Sequence, residues 1–323
     1  MKSFRLAGIF LLTLSTLLAA GCIQVPGPRG KFDRTFTVSG PVRIELANGS
    51  GRVHISSGPA GQVRVQGEFE VRQWIWDPDN LRAEDFEKDP PIEQRDDILR
   101  IGFGERWRRN VRVEYTITAP VESSLRVQTG SGDVNVSGVR GPVRLNTGSG
   151  DVSAQDIREE VVAGTGSGRI VLRNLGGPVR ADTGSGDIVV ESANDEVRAN
   201  TGSGQITVTR PRGRVVAGTG SGDVRVSDSV ADLRVRTSSG EIVVDGNPQG
   251  RFLWDLDASS GNIRLDLADS AGFRLFARTS SGRIETDLPL TIEEQQRRSL
   301  RARAGSGEGR IEARTSSGNI RIR

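Results

Sequence analysis

Thr147-Gly148-Ser149-Gly150-Asp151-Val152 returns 18 residues later as Thr165-Gly166-Ser167-Gly168-Arg169-Ile170, and after another 18 as Thr183-Gly184-Ser185-Gly186-Asp187-Ile188. With the last glycine of each Thr-Gly-Ser-Gly or Thr-Ser-Ser-Gly as a marker, markers fall at Gly132, Gly150, Gly168, Gly186, Gly204, Gly222 and Gly240, always 18 apart. Gly261 and Gly282 follow at intervals of 21, and Gly318 comes 36 later, after an insertion. Gly51 in Asn48-Gly49-Ser50-Gly51 reads as an outlying early copy. A period this regular implies stacked units that each bury a face against the next.

The residues around each marker define the unit. Seven before it stand Val143, Val161, Val179, Val197 and Val215, and five before it Leu145, Ala163, Ala181, Ala199 and Ala217. Two after it stand only Val or Ile, and four after it mostly Val, Leu or Ala. Apolar residues at every second position, many of them β-branched, signal a strand with one buried face. Each unit therefore reads as strand, Gly-Ser-Gly corner, strand, turn. The alternation changes phase at the corner, where glycine tolerates the bend. On this reading Thr three before the marker and Ser one before it both point inward, as hydroxyl ladders between coils. The expected fold is all-β, a parallel β-solenoid of about ten coils of 18–21 residues. The rival is an antiparallel meander turning at Gly-Ser-Gly, but identical residues at identical positions suit parallel in-register stacking.

The chain is expected to divide into four segments. Residues 1–21 have the layout of a secretory signal peptide: Lys2 and Arg5, an uncharged apolar run from Leu6 to Leu18, then small residues. Leu18-Ala19-Ala20-Gly21-Cys22 resembles the lipobox of bacterial lipoproteins, which implies acylation of Cys22, the single cysteine of the chain. Several acyl chains on one residue anchor firmly, at about 0.8 kcal/mol per buried CH₂. Ile23, rather than Asp, after the cysteine implies the outer membrane by resemblance to lipoprotein sorting. Residues 22–36 form a lipidated linker, 37–118 an irregular β-segment capping the first coil, and 119–323 the solenoid. The predicted location is exported and membrane-anchored, on the periplasmic or surface face.

Composition narrows the function. Without Lys2 and Arg5, 42 of the 44 basic residues remain against 41 acidic ones, interspersed along the chain. That balance does not indicate a nucleic-acid partner. His54 is the single histidine, and no predicted helix follows the glycines as phosphate or dinucleotide loops require. No cofactor is implied. Asp133, Asp151, Asp187 and Asp223 follow their markers, but Arg169, Gln205 and Arg283 occupy the same position. A calcium column broken by arginines is disfavoured, so these aspartates read as turn residues.

Two groups are candidate binding residues. Arg126, Arg144, Arg180, Arg198 and Arg234 recur six before the marker and face outward. They form either a stripe for an anionic glycan, headgroup or phosphate, or a solvated face that blunts aggregation; the solvated face is favoured. Trp74, Trp76 and Trp107, with Phe86, Phe103, Arg106, Arg108 and Arg109, form either a ligand platform or a hydrophobic cap on the first coil, with the cap favoured.

The order of lipobox, N-terminal β-segment, Tyr115-Thr116-Ile117-Thr118-Ala119-Pro120, serial Thr-Gly-Ser-Gly-Asp-Val units, Asp287-Leu288-Pro289-Leu290 and Arg314-Thr315-Ser316-Ser317-Gly318-Asn319-Ile320 resembles a bacterial family. It is the β-strand-repeat family labelled "putative adhesin", related to the toastrack and head-GIN-type domains of the envelope. The resemblance covers roughly residues 40–323 and implies a β-helical envelope module without catalytic residues. The expected function is a non-catalytic scaffold, adhesin-like surface or envelope-stress module, with an envelope protein or glycan as partner. A carbohydrate-active β-helix enzyme is the alternative.

Overall fold

The computed structural model describes residues 27–71, 82–104, 111–268 and 271–323. Cys22, Trp74, Trp76, Trp107, Arg106, Arg108 and Arg109 lie outside the described residues.

Each 18-residue unit folds into two strands joined by the Gly-Ser-Gly corner, as Val143–Ser149 with Val152–Ile157 and Val179–Ser185 with Ile188–Ala193. Strands before the corner stack in one sheet and strands after it in another, fifteen and fourteen strands respectively. Within the repeats all pairing is parallel and offset by one unit: Val143 lies opposite Leu125 and Val161, and Val152 opposite Val134 and Ile170. The fold is the expected β-solenoid.

The sheets share one core. Residues seven and five before the marker, and two and four after it, are buried at every marker except Gly282, after which Ile284 and Thr286 are half-buried. Each Val, Leu or Ile so placed contributes roughly 1.5–3 kcal/mol against an exposed side chain. Alanine at 163, 181, 199 and 217 lets the sheets approach across a thin core. Trp254 is wholly buried, and its indole Nε1 donates to the Ala231 carbonyl at 2.9 Å.

The corner differs in one respect from the sequence expectation. Thr points inward, and Thr147, Thr165, Thr183, Thr201, Thr219 and Thr237 are each buried. Their Oγ1 atoms donate at 2.9–3.2 Å to the marker glycine carbonyl of the preceding coil, not to one another. Ser131, Ser149, Ser185, Ser203 and Ser221 are exposed, not inward. The bend begins at the first glycine of Gly-Ser-Gly, so the two-residue alternation already fails at the serine.

A second corner lies six residues past the marker. Gly138, Asp156, Asn174, Ser192, Arg210 and Asp228 all have φ between 53° and 74°. This left-handed step re-aims the next residue, and Val139, Ile157, Leu175, Ala193, Pro211 and Ser229 are buried.

At both ends, spatial order departs from chain order. Residues 43–58 form a coil about Gly51, stacked on residues 124–137. Ile98–Ile101 and Val111–Pro120 lie on its other side and so form the last parallel layer at this end. At the far end, Gly309–Thr315 and Ile320–Ile322 insert between the coils of residues 253–267 and 273–286. Among the described residues twelve two-stranded layers result, a rod of roughly 50 Å at ~4.8 Å per layer.

Antiparallel elements flank the stack. Arg29–Thr37 and Gln62–Val71 extend one sheet beyond Val111–Pro120. The helix Ala83–Lys88 places Phe86 with its ring centroid 4.6 Å from that of Phe69 and 5.9 Å from that of Phe32. Phenylalanines thus close the described part of this end. Thr291–Gln296 and Ser299–Ala304 form a hairpin that extends the other sheet past Phe273–Thr279.

Candidate binding surface

The outer face of the fifteen-stranded sheet displays the recurrent arginines. Parallel register sets Arg126 beside Arg144 and Arg180 beside Arg198, with Val162 and Val216 interrupting the row before Arg180 and Arg234. Arg144 pairs with Glu160 at 3.1 Å, Arg180 with Asp182 at 2.7 Å, Arg198 with Glu196 at 3.1 Å and Arg234 with Asp255 at 3.4 Å. These partly exposed pairs contribute little stability, about 0–1 kcal/mol each, but they answer the positive charge locally. The hydrogen bond to Asp182 also raises the pKa of the Arg180 guanidinium.

Arg126 makes no ion pair among the described residues. It borders a surface hollow of about 370 Å³, with Arg43, Glu45, Ser124, Pro142 and Arg144 on the other sides. Small Ser124 and Pro142 between larger neighbours create the hollow. Glu45 is bound by Arg100 at 3.1 Å, while Arg43, like Arg126, has no carboxylate partner among the described residues. Arg43 escapes sequence analysis because it stands in the irregular early copy, eight before Gly51.

The aspartates after the marker have a structural role. Oδ1 of Asp133, Asp151, Asp187 and Asp223 accepts from the backbone N–H of the equivalent residue one coil on, at 2.8–3.1 Å. Asn262 and Asn319 do the same towards Asn319 and Arg283, in spatial rather than chain order. The column is a ladder of backbone acceptors that tolerates Arg or Gln where a coil contributes only its N–H. Among the described residues, no three His, Cys, Asp or Glu side chains gather as a metal site. His54 is exposed on Val53–Gly58, between Thr116 and Asn135 in register.

A carboxyl and a phenol at the N-terminal end also titrate away from their ordinary values. The hydrogen bond from Arg64 holds the Asp33 carboxyl below the usual range, and burial pushes the Tyr115 phenol up. Both belong to the N-terminal cap: Asp33 sits on Arg29–Thr37, and Tyr115 packs edge-on against Phe32.

Two sheets of in-register parallel strands, turning at glycine corners and flanked by antiparallel hairpins, define a capped β-solenoid with broad flat faces. The chain belongs to the Toastrack DUF4097 family, which matches residues 110–227 and 213–323 and so two-thirds of its length. Among solved structures, a putative adhesin from Bacteroides fragilis is 14% identical over 91% of this chain and 97% of its own, at a TM-score of 0.37. A putative adhesin from Parabacteroides distasonis is 10% identical over 92% and 98%, at 0.32. A putative cell adhesion protein from Clostridium sporogenes is 12% identical over 91% and 99%, at 0.20. No curated protein matches the chain.

Proposed function

We propose that this protein is an exported, lipid-anchored envelope module that binds an envelope partner through its solenoid faces and carries out no catalysis. The observation that supports a binding role is how the polar groups of the repeats are used. Asp and Asn side chains bond the backbone of the next coil, and most of the recurrent arginines are held by carboxylates. Such a face is rigid and preorganised, and a rigid face loses little conformational entropy on association. The hollow beside Arg43 and Arg126 is a place where positive charge is left unanswered. The anchor is the acyl-Cys22 read from the lipobox, and an adhesin-like role accords with the family resemblance.

The test is in-cell cross-linking of the intact protein, followed by membrane fractionation and identification of co-purifying components. Native protein is expected in the membrane fraction with a discrete partner, and Cys22→Ala in the soluble fraction without it. A Cys22→Ala protein that stays with the membrane would remove the anchor from the proposal. A native protein that captures nothing above background would remove the binding role.

A further inference from the structure

Three strands at the C-terminal end of the fifteen-stranded sheet carry a charge arrangement unlike its middle. Phe273–Thr279 lies between Gly309–Thr315 and Ser299–Ala304. Its outward residue Arg274 stands opposite Arg310 on one side and Arg303 on the other. Arg278 stands opposite Arg314 and Ser299, and Phe276 opposite Glu312 and Arg301. All six arginines are exposed. The guanidinium carbons of Arg301 and Arg310 lie 5.2 and 4.9 Å from the centroid of the Phe276 ring, within cation–π range.

Carboxylates answer part of this charge. Glu312 pairs with Arg310 and Arg314, Asp255 with Arg314 at 3.2 Å, and Glu294 with Arg301 at 3.6 Å. Arg274, Arg278 and Arg303 have no ion pair among the described residues. Like charges directly opposite on neighbouring strands are destabilising. In mid-sheet, the adjacent pair Arg180 and Arg198 each has its own carboxylate. The row Arg310–Arg274–Arg303 has three arginines abreast, two of them unanswered, and exists only because the last coil inserts beside Phe273–Thr279. A bound anion would relieve this repulsion.

We propose that this face binds an acidic polysaccharide, with Arg310, Arg274 and Arg303 in one row and Arg314 and Arg278 in another receiving successive anionic groups of the chain. Arginine forks match carboxylate and sulfate geometry. Strand spacing repeats the forks every ~4.8 Å along the rod, which suits a polymer charged at each sugar. A sheet face accepts an extended chain laid across it. Single-stranded nucleic acid sites stack successive bases on aromatic side chains, whereas this face has one aromatic, already flanked by two guanidiniums. Membrane surfaces call for an apolar fringe, and among the described residues the exposed large apolar side chain directly opposite one of these arginines is Leu253 alone, beside Arg310, while Ile292 is paired with the inward-facing Ala302. This proposal goes beyond the anchored-module reading and is independent of Cys22.

The test is calorimetric titration of the purified full-length protein with polygalacturonate. Dextran, a single-stranded oligonucleotide and vesicles of phosphatidylcholine with phosphatidylglycerol serve as the other probes. Polygalacturonate is expected to bind with an affinity that falls as salt rises, and dextran not to bind. The double variant Arg274→Gln/Arg303→Gln should lose about tenfold in affinity, as removal of two charge-assisted contacts implies. Its Tm should hold or rise, because repulsion is removed with the charges. Arg29→Gln/Lys31→Gln, on the cap strand at the opposite end of the molecule, should bind like the native protein. The proposal is overturned if polygalacturonate does not bind, if the double variant Arg274→Gln/Arg303→Gln binds as well as the native protein, or if the cap-strand variant loses as much. Tighter binding of the oligonucleotide or the vesicles, lost in the same double variant, would assign the face to another ligand class and equally overturn it.

Discussion

At Gly204 the backbone passes so close to the coil before it that a Cβ would collide with the Gly186 carbonyl, and the same holds at the other markers. Three residues earlier, Thr201 donates to that carbonyl at 2.9 Å. These neighbours should respond differently to substitution. Gly204→Ala must push two coils apart and is expected to cost about 1–3 kcal/mol, as overpacking does. Thr201→Val keeps the shape and loses one hydrogen bond, for about 0.5–1.5 kcal/mol. Denaturant unfolding of both variants checks the ranking, and an equal cost would mean that the glycine is not sterically required. The need for glycine and the inward threonine are legible in the sequence, because the glycine recurs at every marker and the threonine at all but two, where Asn48 and Ala258 stand instead. The exposed serine is not, since strand alternation carried through the corner predicts the opposite. The left-handed position six past the marker is also hidden. Gly, Asp, Asn, Ser and Arg all occupy it, and Arg210 adopts φ 53° although its side chain has no special aptitude for it.

One coil is the element of this fold, and its interactions reach only the coil on either side. Removing residues 178–195, a whole 18-residue unit, brings Val197 to the place of Val179 and Thr201 to the place of Thr183. The threonine could then donate to the Gly168 carbonyl, and both sheets would rejoin in register. That deletion should fold with native-like circular dichroism and cooperative melting, since solenoid stability sums over units and their interfaces. Removing residues 178–186 instead takes away half a coil and should not fold, because strands of one sheet would be offered to the other. A soluble, cooperatively melting half-coil deletion would sink this account of the repeat. The period made this level of the structure the most legible. An interval of 18 with invariant glycine implies equal coils and parallel register before any coordinate is known.

The ends belong to the whole molecule and were the least legible. Alternation says that residues 309–323 form a coil, but every coil offers a similar edge, so the pattern alone does not choose its neighbours. The Arg274 row shares that obscurity: Arg274 and Arg310 each stand eight before a marker, but Arg303 lies in the hairpin outside the period, and nothing in the pattern sets the three side by side. Deleting residues 309–323 takes the paired strands away from both the coil of residues 253–267 and that of residues 273–286. The outermost coil then has no partner on its inner side. Limited trypsin digestion of this truncated protein should cut rapidly at Arg274, Arg278, Arg301 and Arg303 while residues 124–267 resist. A chain ending at 268 removes more residues yet leaves a complete coil at its edge, and should show no comparable increase in cleavage. Equal resistance of residues 273–304 in the first truncation would mean that the inserted coil does not hold the end together.

Insertion of the last coil also bears on how the rod would respond to tension. A solenoid pulled by its terminal coil can unzip one layer at a time, each layer parting from a single neighbour. Here Ile320–Ile322 is bonded along both edges, to Ile263–Leu267 and to Ile284–Thr286. Traction on Arg323 must therefore shear a strand from between two others before any layer can peel. The inserted coil acts as a wedge, and a pull on Arg323 is resisted by ladders on both sides of the strand that carries the load.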